Sequence, residues 1–174
     1  VNLNVGCPSG KIKKAQFGAI LFKYPALVTA CVQAMKESVQ IPVSVKTRIG
    51  VDDCENYQYL ARFIEMLLKA GCDELVIHAR KAYLKGLSPK ANRNVPPLRY
   101  SVVEQLKQDF PEGHFVLNGG IDGFHRYNDL KSDFSHMMIG RGVDRNPFLL
   151  RAIEQDIYGG TALNTSRQEV LNQY

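Results

Sequence analysis

Four apolar runs in this 174-residue sequence end on side chains of different chemistry. They are the Cys7 thiol in Val-Asn-Leu-Asn-Val-Gly-Cys-Pro, the Lys46 ammonium in Val-Ser-Val-Lys-Thr-Arg-Ile-Gly, the His78 imidazole in Val-Ile-His-Ala-Arg and the Asn118 amide in Leu-Asn-Gly-Gly-Ile. Gly6 lets the backbone turn sharply, and Pro8 forbids simple continuation of a strand. The Cys7 thiol is therefore expected at the C-terminal tip of a strand, where α/β enzymes keep their chemistry. A buried structural cysteine is the alternative; Asn4 and Gly6 beside it favour function. Lys46 follows Val43 and Val45, and a lysine there costs desolvation unless an anion or electron-rich ligand pairs with it. The alternative is a solvated lysine at a strand end. His78, with Arg80 two residues on, falls in line with Cys7 and Lys46 and is read as a ligand-binding residue rather than a satisfied core histidine.

Two further strand ends carry glycines, Asn118-Gly119-Gly120 and Gly140-Arg141. Glycine lets backbone N–H groups approach an oxyanion closely, and an arginine adds a bidentate phosphate donor. Turns use glycine routinely, so either pair alone says little; on successive strand ends they read as a phosphate cradle, the place barrels often reserve for one. Basic residues concentrate in the segments after strand ends: Lys11, Lys13, Lys14, Arg48, Arg80, Lys81, Lys85, Lys90, Arg93, Arg99, Arg141 and Arg145 are twelve of the 22 Lys and Arg. In a parallel barrel those loops share one face, which would be electropositive and suited to a nucleic-acid backbone. Dispersed solubilising charge is the alternative. Tyr83 and Tyr100 stand nearby, able to stack on bases or simply to pack.

The elements that must position these groups alternate. Strand-like runs cover residues 1–5, 41–46, 74–78, 114–118 and 136–140. Between them, helical stripes run through Leu27, Val28, Cys31, Val32 and Met35, entered through Pro25; through Tyr57, Leu60, Ala61, Ile64, Leu67 and Leu68, with Asp52 and Asp53 as candidate caps; through Val102, Val103 and Leu106; through Phe124, Tyr127 and Leu130; and onward from Pro147. Strand and helix repeated with long crossovers imply a parallel sheet. A doubly wound open sheet and a (β/α)8 TIM barrel compete, and functional-looking residues at every strand end favour the barrel. Five units are too few for eight strands. The chain is accordingly read as a partial barrel, about strands 4–8, over residues 1–158, with 159–174 starting a linker or helical extension.

Composition narrows the class. With 45% hydrophobic residues the chain can bury one core. No run of about 18 apolar residues would span a membrane, and no signal peptide is visible. The four cysteines form no Cys-x-x-Cys pair and have no histidine at zinc spacing, so no metal site is expected and a reducing, cytoplasmic setting is the natural reading. A net charge of +5 points toward a polyanionic partner. Oligomeric state is not legible.

Read together, residues 2–9 (Asn-Leu-Asn-Val-Gly-Cys-Pro-Ser), 17–19 (Phe-Gly-Ala), 45–50 (Val-Lys-Thr-Arg-Ile-Gly), 77–82 (Ile-His-Ala-Arg-Lys-Ala), 86–93 (Gly-Leu-Ser-Pro-Lys-Ala-Asn-Arg) with Pro-Pro-Leu at 96–98, 118–121 (Asn-Gly-Gly-Ile) and Gly140-Arg141 resemble the tRNA-dihydrouridine synthases. Residues 86–98 resemble the A subfamily. That resemblance implies an FMN-dependent barrel with a C-terminal helical domain, which reduces D-loop uridines at positions 20 and 20a of tRNA with NADPH. It implies Cys7 as proton donor, Lys46 and His78 at the flavin ring, and Asn118, Gly119, Gly120, Gly140 and Arg141 around the flavin phosphate. Asn4 would meet the uracil, and Lys90 and Arg93, with Arg80 near them, the tRNA. After Gly140-Arg141 the chain reads Gly-Val-Asp-Arg-Asn-Pro, where the family more often has an alanine-tyrosine pair. The residue types suit the chemistry: saturating the C5–C6 bond of uracil takes a hydride at C6 and a proton at C5, and an ordinary thiol, pKa about 8.5, is mostly protonated at neutral pH. Two other readings remain open: an FMN barrel resembling the dihydroorotate dehydrogenases acting on a free pyrimidine, and a non-catalytic RNA-binding fragment.

Overall fold

The alternation seen in the sequence is realised as five strands in one all-parallel sheet. The computed structural model describes residues 1–9, 16–159 and 166–173. The strands are β1 (Asn2–Val5), β2 (Ser44–Arg48), β3 (Glu74–His78), β4 (Phe115–Asn118) and β5 (Met137–Met138), hydrogen-bonded in strict sequence order. Doubly wound sheets reverse direction at a switch point; no reversal occurs here. Successive right-handed crossovers in one direction put their helices on one face, the arrangement of a (β/α)8 barrel wall. The described strands are therefore a partial TIM barrel.

The helices following β1, β2 and β3 are α1 (Pro25–Ser38), α2 (Tyr57–Lys69) and α3 (Tyr100–Asp109). Pro25 opens α1 as its first residue, where its missing N–H costs nothing. A 3-10 segment, Gly18–Lys23, leads into it and buries Phe22, whose ring lies 5.1 Å from that of Phe63 on α2. The two faces of the sheet differ in chemistry. Val5, Val45, Thr47, Leu75, Ile77, Phe115 and Leu117 alternate onto the face that is buried with Phe63, Ile64, Leu67, Val103 and Leu106. The opposite face carries Asn4, Lys46, Val76 and Val116 in register at one level, and Arg48, His78, Asn118 and Met138 in register at the next. On that face the polar side chains alternate with the buried Val76 and Val116.

A second compact unit comprises Ile121–Leu130 and Ile139–Tyr174, the first being Val1–Gly120 with Lys131–Met138. The second contains α4 (Phe124–Leu130), α5 (Arg141–Arg145), α6 (Phe148–Tyr158) and α7 (Arg167–Asn172). Tyr127 Oη donates to Asp156 Oδ2 at 3.0 Å, tying α4 to α6. Gly142 is fixed by sterics, since a Cβ there would lie 2.9 Å from Ile121 O. A capping box between Ser166 and Glu169 starts α7.

Several expectations shift. The second strand begins at Ser44 and ends at Arg48, because Pro42 has no N–H for a ladder; Lys46 is thus mid-strand, not at its end. The last strand shrinks to two residues. Asp52 and Asp53 do not cap α2. Asn56 does, its Oδ1 accepting from Tyr59 N at 2.7 Å, three residues closer to the apolar stripe. Leu27 is exposed and Cys31 half-buried, leaving Val28 and Val32 as the core of α1.

Removing the cap of α2 isolates one local contribution. Asn56→Ala is expected to cost about 1 kcal/mol of stability, lowering the denaturant midpoint at an unchanged m-value; an unmoved midpoint would show that the cap carries no weight.

Candidate active site on the polar face of the sheet

The turn that presents Cys7 is built from its own sequence. Asn4 Oδ1 accepts from Gly6 N at 2.9 Å and Cys7 N at 3.2 Å, an Asx turn that bends the chain as β1 ends. Two further bonds hold the same peptides: Ala19 N donates to Cys7 O at 2.8 Å, and Arg48 Nε donates to Gly6 O at 3.2 Å. With its main chain held at these points, Cys7 is half-buried and its thiol is not in a disulfide. Asn4 spends its carbonyl oxygen on the turn, which leaves Nδ2 as the donor it can offer a ligand.

Lys46 sits beside this turn. Asn4 and Lys46 are register partners, and a Cβ on Gly6 would lie 3.4 Å from Lys46 O. The ammonium crosses above β3 to donate to Asn118 Oδ1 at 2.7 Å, while Asn118 Nδ2 donates to Met138 O at 2.8 Å. One amide thus aims Lys46 and is itself aimed by β5. Among the described residues no carboxylate pairs with Lys46. Burial pushes its pKa down to about 8, and the like charge of Arg48 adds to the fall.

His78 is half-buried at the end of β3, packed against the Gly119 backbone. A Cβ at Gly119 would come within 2.6 Å of the His78 ring, and one at Gly120 within 2.4 Å of Leu98 Cδ1; both glycines have positive φ, 110° and 73°. Tyr100 Oη donates to Gly119 O at 2.7 Å, so Tyr100 packs here instead of offering a free face for stacking. The glycine pair is accordingly demanded by the protein's own conformation and contacts, whatever else it does.

Arg48, expected among the solvent-facing basic residues, is 3% exposed. Its guanidinium donates to Gly6 O, to Lys81 O at 3.3 Å and to Asn92 O at 2.8 Å, linking the end of β1 to the segment after β3. Burial first, then the nearby charges of Arg80 and Arg93, pull its pKa down to about 10. Asn92, with no exposed surface, was unsuspected; a lone Asn in a loop gives no signal of burial. Asp52, read as a cap, instead takes φ +47° and accepts from Lys23 Nζ at 2.9 Å and Leu84 N at 2.8 Å.

The structure thus gathers Asn4, Cys7, Lys46, His78, Asn118, Gly119 and Gly120 at the C-terminal end of the sheet. Arg80 is adjacent, its Nη1 donating to Pro96 O, and Lys90 and Arg93 are exposed on the following segment. Lys81 is engaged elsewhere, 3.0 Å from Glu55 and over the Tyr83 ring. Gly140 and Arg141 belong to the second unit, where Gly140 is exposed and Arg141 begins α5. Lys11, Lys13 and Lys14 lie outside the described residues. No metal-holding cluster occurs among the described residues, and no helix among them is long and apolar enough to cross a membrane.

The donor set tests the fit of a flavin mononucleotide. Lys46, Arg48 and His78 bring cationic or donor groups to one face, and the recorded acceptors of Lys46 and Arg48 are neutral amide and carbonyl oxygens. A flavin presents an acceptor-rich ring edge and an anionic phosphate. The residues present fit that group.

The family model for dihydrouridine synthase (Dus) matches residues 1–173. A curated relative from Synechocystis sp., named tRNA-dihydrouridine(20/20a) synthase, is 46% identical over 173 residues, covering 99% of this chain and 52% of the relative. Proteins of the same name from Shewanella oneidensis and Pseudomonas syringae pv. tomato are 46% and 47% identical, each over 171 residues, 98% of this chain and 51% of theirs. The chain spans about half the length of the curated relatives it matches.

A buried lysine with a lowered pKa leaves a signature in stability. The folded chain binds a proton on Lys46 less readily than the unfolded chain, so the penalty is present in full below about pH 8 and relieved as pH rises toward the ordinary lysine range. Relative to Lys46→Met, the ligand-free chain is expected to gain thermal stability between about pH 8 and 10. Parallel pH profiles for the two would contradict the burial of a charged ammonium.

Proposed function

Since the chain belongs to the dihydrouridine synthase family, we propose that it is the later part of a tRNA-dihydrouridine(20/20a) synthase, an FMN-dependent, NADPH-consuming and cytoplasmic enzyme. The observation that carries this reading is the aimed, buried ammonium of Lys46. It has a neutral amide as partner and lies one strand from the clamped Cys7 turn. Such a cation favours a ligand edge that is electron-rich and becomes more so on reduction.

Within this reading Lys46 and His78 hold the ring, and Asn118 serves by fixing Lys46. Gly119 and Gly120 serve the phosphate end. FMN held there would supply the hydride that saturates C6 of the uracil, with NADPH as the reductant. Asn4 Nδ2 donates to a uracil carbonyl, which orients the base. Cys7, held by its main chain, delivers the thiol proton to C5; water or solvent buffer restores that proton afterward. Arg80, Lys90 and Arg93 meet tRNA phosphates, and the mutual repulsion of Arg48, Arg80 and Arg93 is relieved by that polyanion.

The same arginine cluster weighs against a free-pyrimidine oxidoreductase, which has no polyanion to place beside it. A non-catalytic RNA-binding fragment is separated at once by purifying the complete protein and recording its visible absorption, since flavin is yellow.

In the complete protein, Cys7→Ala is expected to leave flavin content and its reduction by NADPH intact and to abolish dihydrouridine formation in tRNA, read by mass spectrometry of nucleosides; a normal product yield refutes the proton-donor role. Lys90→Ala combined with Arg93→Ala is expected to weaken tRNA binding about tenfold or more and to flatten its salt dependence, with flavin content unchanged. Unaltered tRNA affinity at physiological salt would place the docking surface elsewhere.

A further inference from the structure

We infer that Asn92 and Arg48 are positioning residues that form one buried tie between the segment carrying Lys90 and Arg93 and the turn carrying Cys7. The inference rests on the reading proposed above, and it adds a link from polyanion docking to presentation of the acid.

The segment from Arg80 to Leu98 has little regular structure of its own. It holds the three-residue 3-10 turn Ala91–Arg93, and Ala82 bridges Val51. Its shape is set largely by one side chain. Asn92 Nδ2 donates to Tyr83 O at 2.9 Å, with Leu87 O and Ser88 O each at 3.3 Å, and Asn92 Oδ1 accepts from Tyr83 N at 2.7 Å. Its main chain closes the loop further: Asn92 N donates to Ser88 O at 2.9 Å. Only a short side chain that both donates and accepts can satisfy that ring of backbone groups at full burial.

The same residue reaches the reaction centre through Arg48. Asn92 O accepts from Arg48 Nη1, and Arg48 Nε donates to Gly6 O, the carbonyl of the peptide that joins Gly6 to Cys7. A forked guanidinium is needed, since three carbonyls on separate segments must be met from fixed directions; a lysine's single ammonium does not present that pattern. Lys90 and Arg93 flank Asn92 at two residues and one. Any load that phosphates place on them is therefore transmitted to a residue whose carbonyl steadies the guanidinium behind Cys7. Coupling of this kind is reciprocal in binding: ordering the segment favours the Cys7 turn, and the formed turn favours the docking-competent segment.

A residue that merely supports the fold would lower stability, flavin content and activity together, so the test separates those readouts in the complete protein. Asn92→Ala is expected to lose hydrogen-exchange protection at Tyr83 and Asn92 amides without tRNA present. It is also expected to raise the tRNA KM about tenfold with flavin content and NADPH-driven flavin reduction unchanged. Asn92→Asp keeps the acceptor for Tyr83 N but turns a carboxylate oxygen toward three carbonyls at full burial, so it should be at least as impaired as Ala. Arg48→Lys keeps the charge and loses the fork, and it should lower kcat at saturating tRNA more than it raises KM. Wild-type protection and KM in Asn92→Ala overturn the tie and leave the synthase reading standing. Equal losses of flavin, stability and activity assign Asn92 to general support and overturn the inference as well. If the wild-type protein makes no dihydrouridine, the synthase reading fails instead, and the exchange measurement still decides whether the tie exists.

Discussion

A guanidinium buried without a carboxylate is a costly object, and the arrangement around Arg48 is what makes it tolerable. Desolvation disfavours the charge, and Arg80 and Arg93 disfavour it further. Against this stand donations to three backbone carbonyls, those of Gly6, Lys81 and Asn92. Those carbonyls belong to segments far apart in sequence, so the cost is offset only when the end of β1 and the segment after β3 are all in place. Loss of any one leaves a buried donor or charge less well satisfied, which is worse than never having made the network. The Cys7 turn and the basic segment are thus joined by a single side chain, almost fully buried, whose acceptors are backbone carbonyls.

The sheet makes that network possible by sorting its two faces. Residues alternating one way along β1–β4 are apolar apart from Thr47 and pack under the helices; those alternating the other way include Asn4, Lys46, Arg48, His78 and Asn118. Because parallel strands in register share side-chain direction, one choice of register brings all five to a common face. A slip of one residue in β2 would turn Lys46 and Arg48 toward the helix-packed face and Val45 away from it. The hydrophobic core therefore enforces the positions of the polar site without touching it.

Much of this was legible in the sequence, and the failures share a cause. Strand and helix order, the Pro25 entry and the four chemistry-bearing positions follow from periodicity and turn residues, which are local signals. Asn56 in place of Asp52 or Asp53 was within reach, since a cap is chosen by distance to the first buried turn. The roles of Asp52, Arg48 and Asn92 were not within reach. Each is decided by partners more than 25 residues away or by a loop whose path no periodicity describes. Arg48 in particular looks like any strand-end cation until Gly6 and Asn92 arrive beside it. Gly119 and Gly120 show the opposite limit: the sequence marks them as special, yet the structure accounts for them through His78, Leu98 and Tyr100 as well as any phosphate could.

The site that results is uneven in charge. Lys46 is answered by an amide, Arg48 by carbonyls, and Arg80 by the Pro96 carbonyl among its partners. Lys46 and Arg48, held by neutral oxygens, keep their charge only at an energetic cost, visible in their lowered pKa values. Anionic ligands remove that cost, so the unliganded protein stores a preference for them in its own fold. Two such cations lie on this face: Lys46, mid-strand on β2 with an amide as partner, and Arg48, at the end of β2 with carbonyls as partners. The Cys7 turn touches both, through the Asn4–Lys46 register pair and through the Arg48–Gly6 bond. Cys7 therefore sits on a turn braced from both sides, by the β2 ladder and by the Arg48 guanidinium.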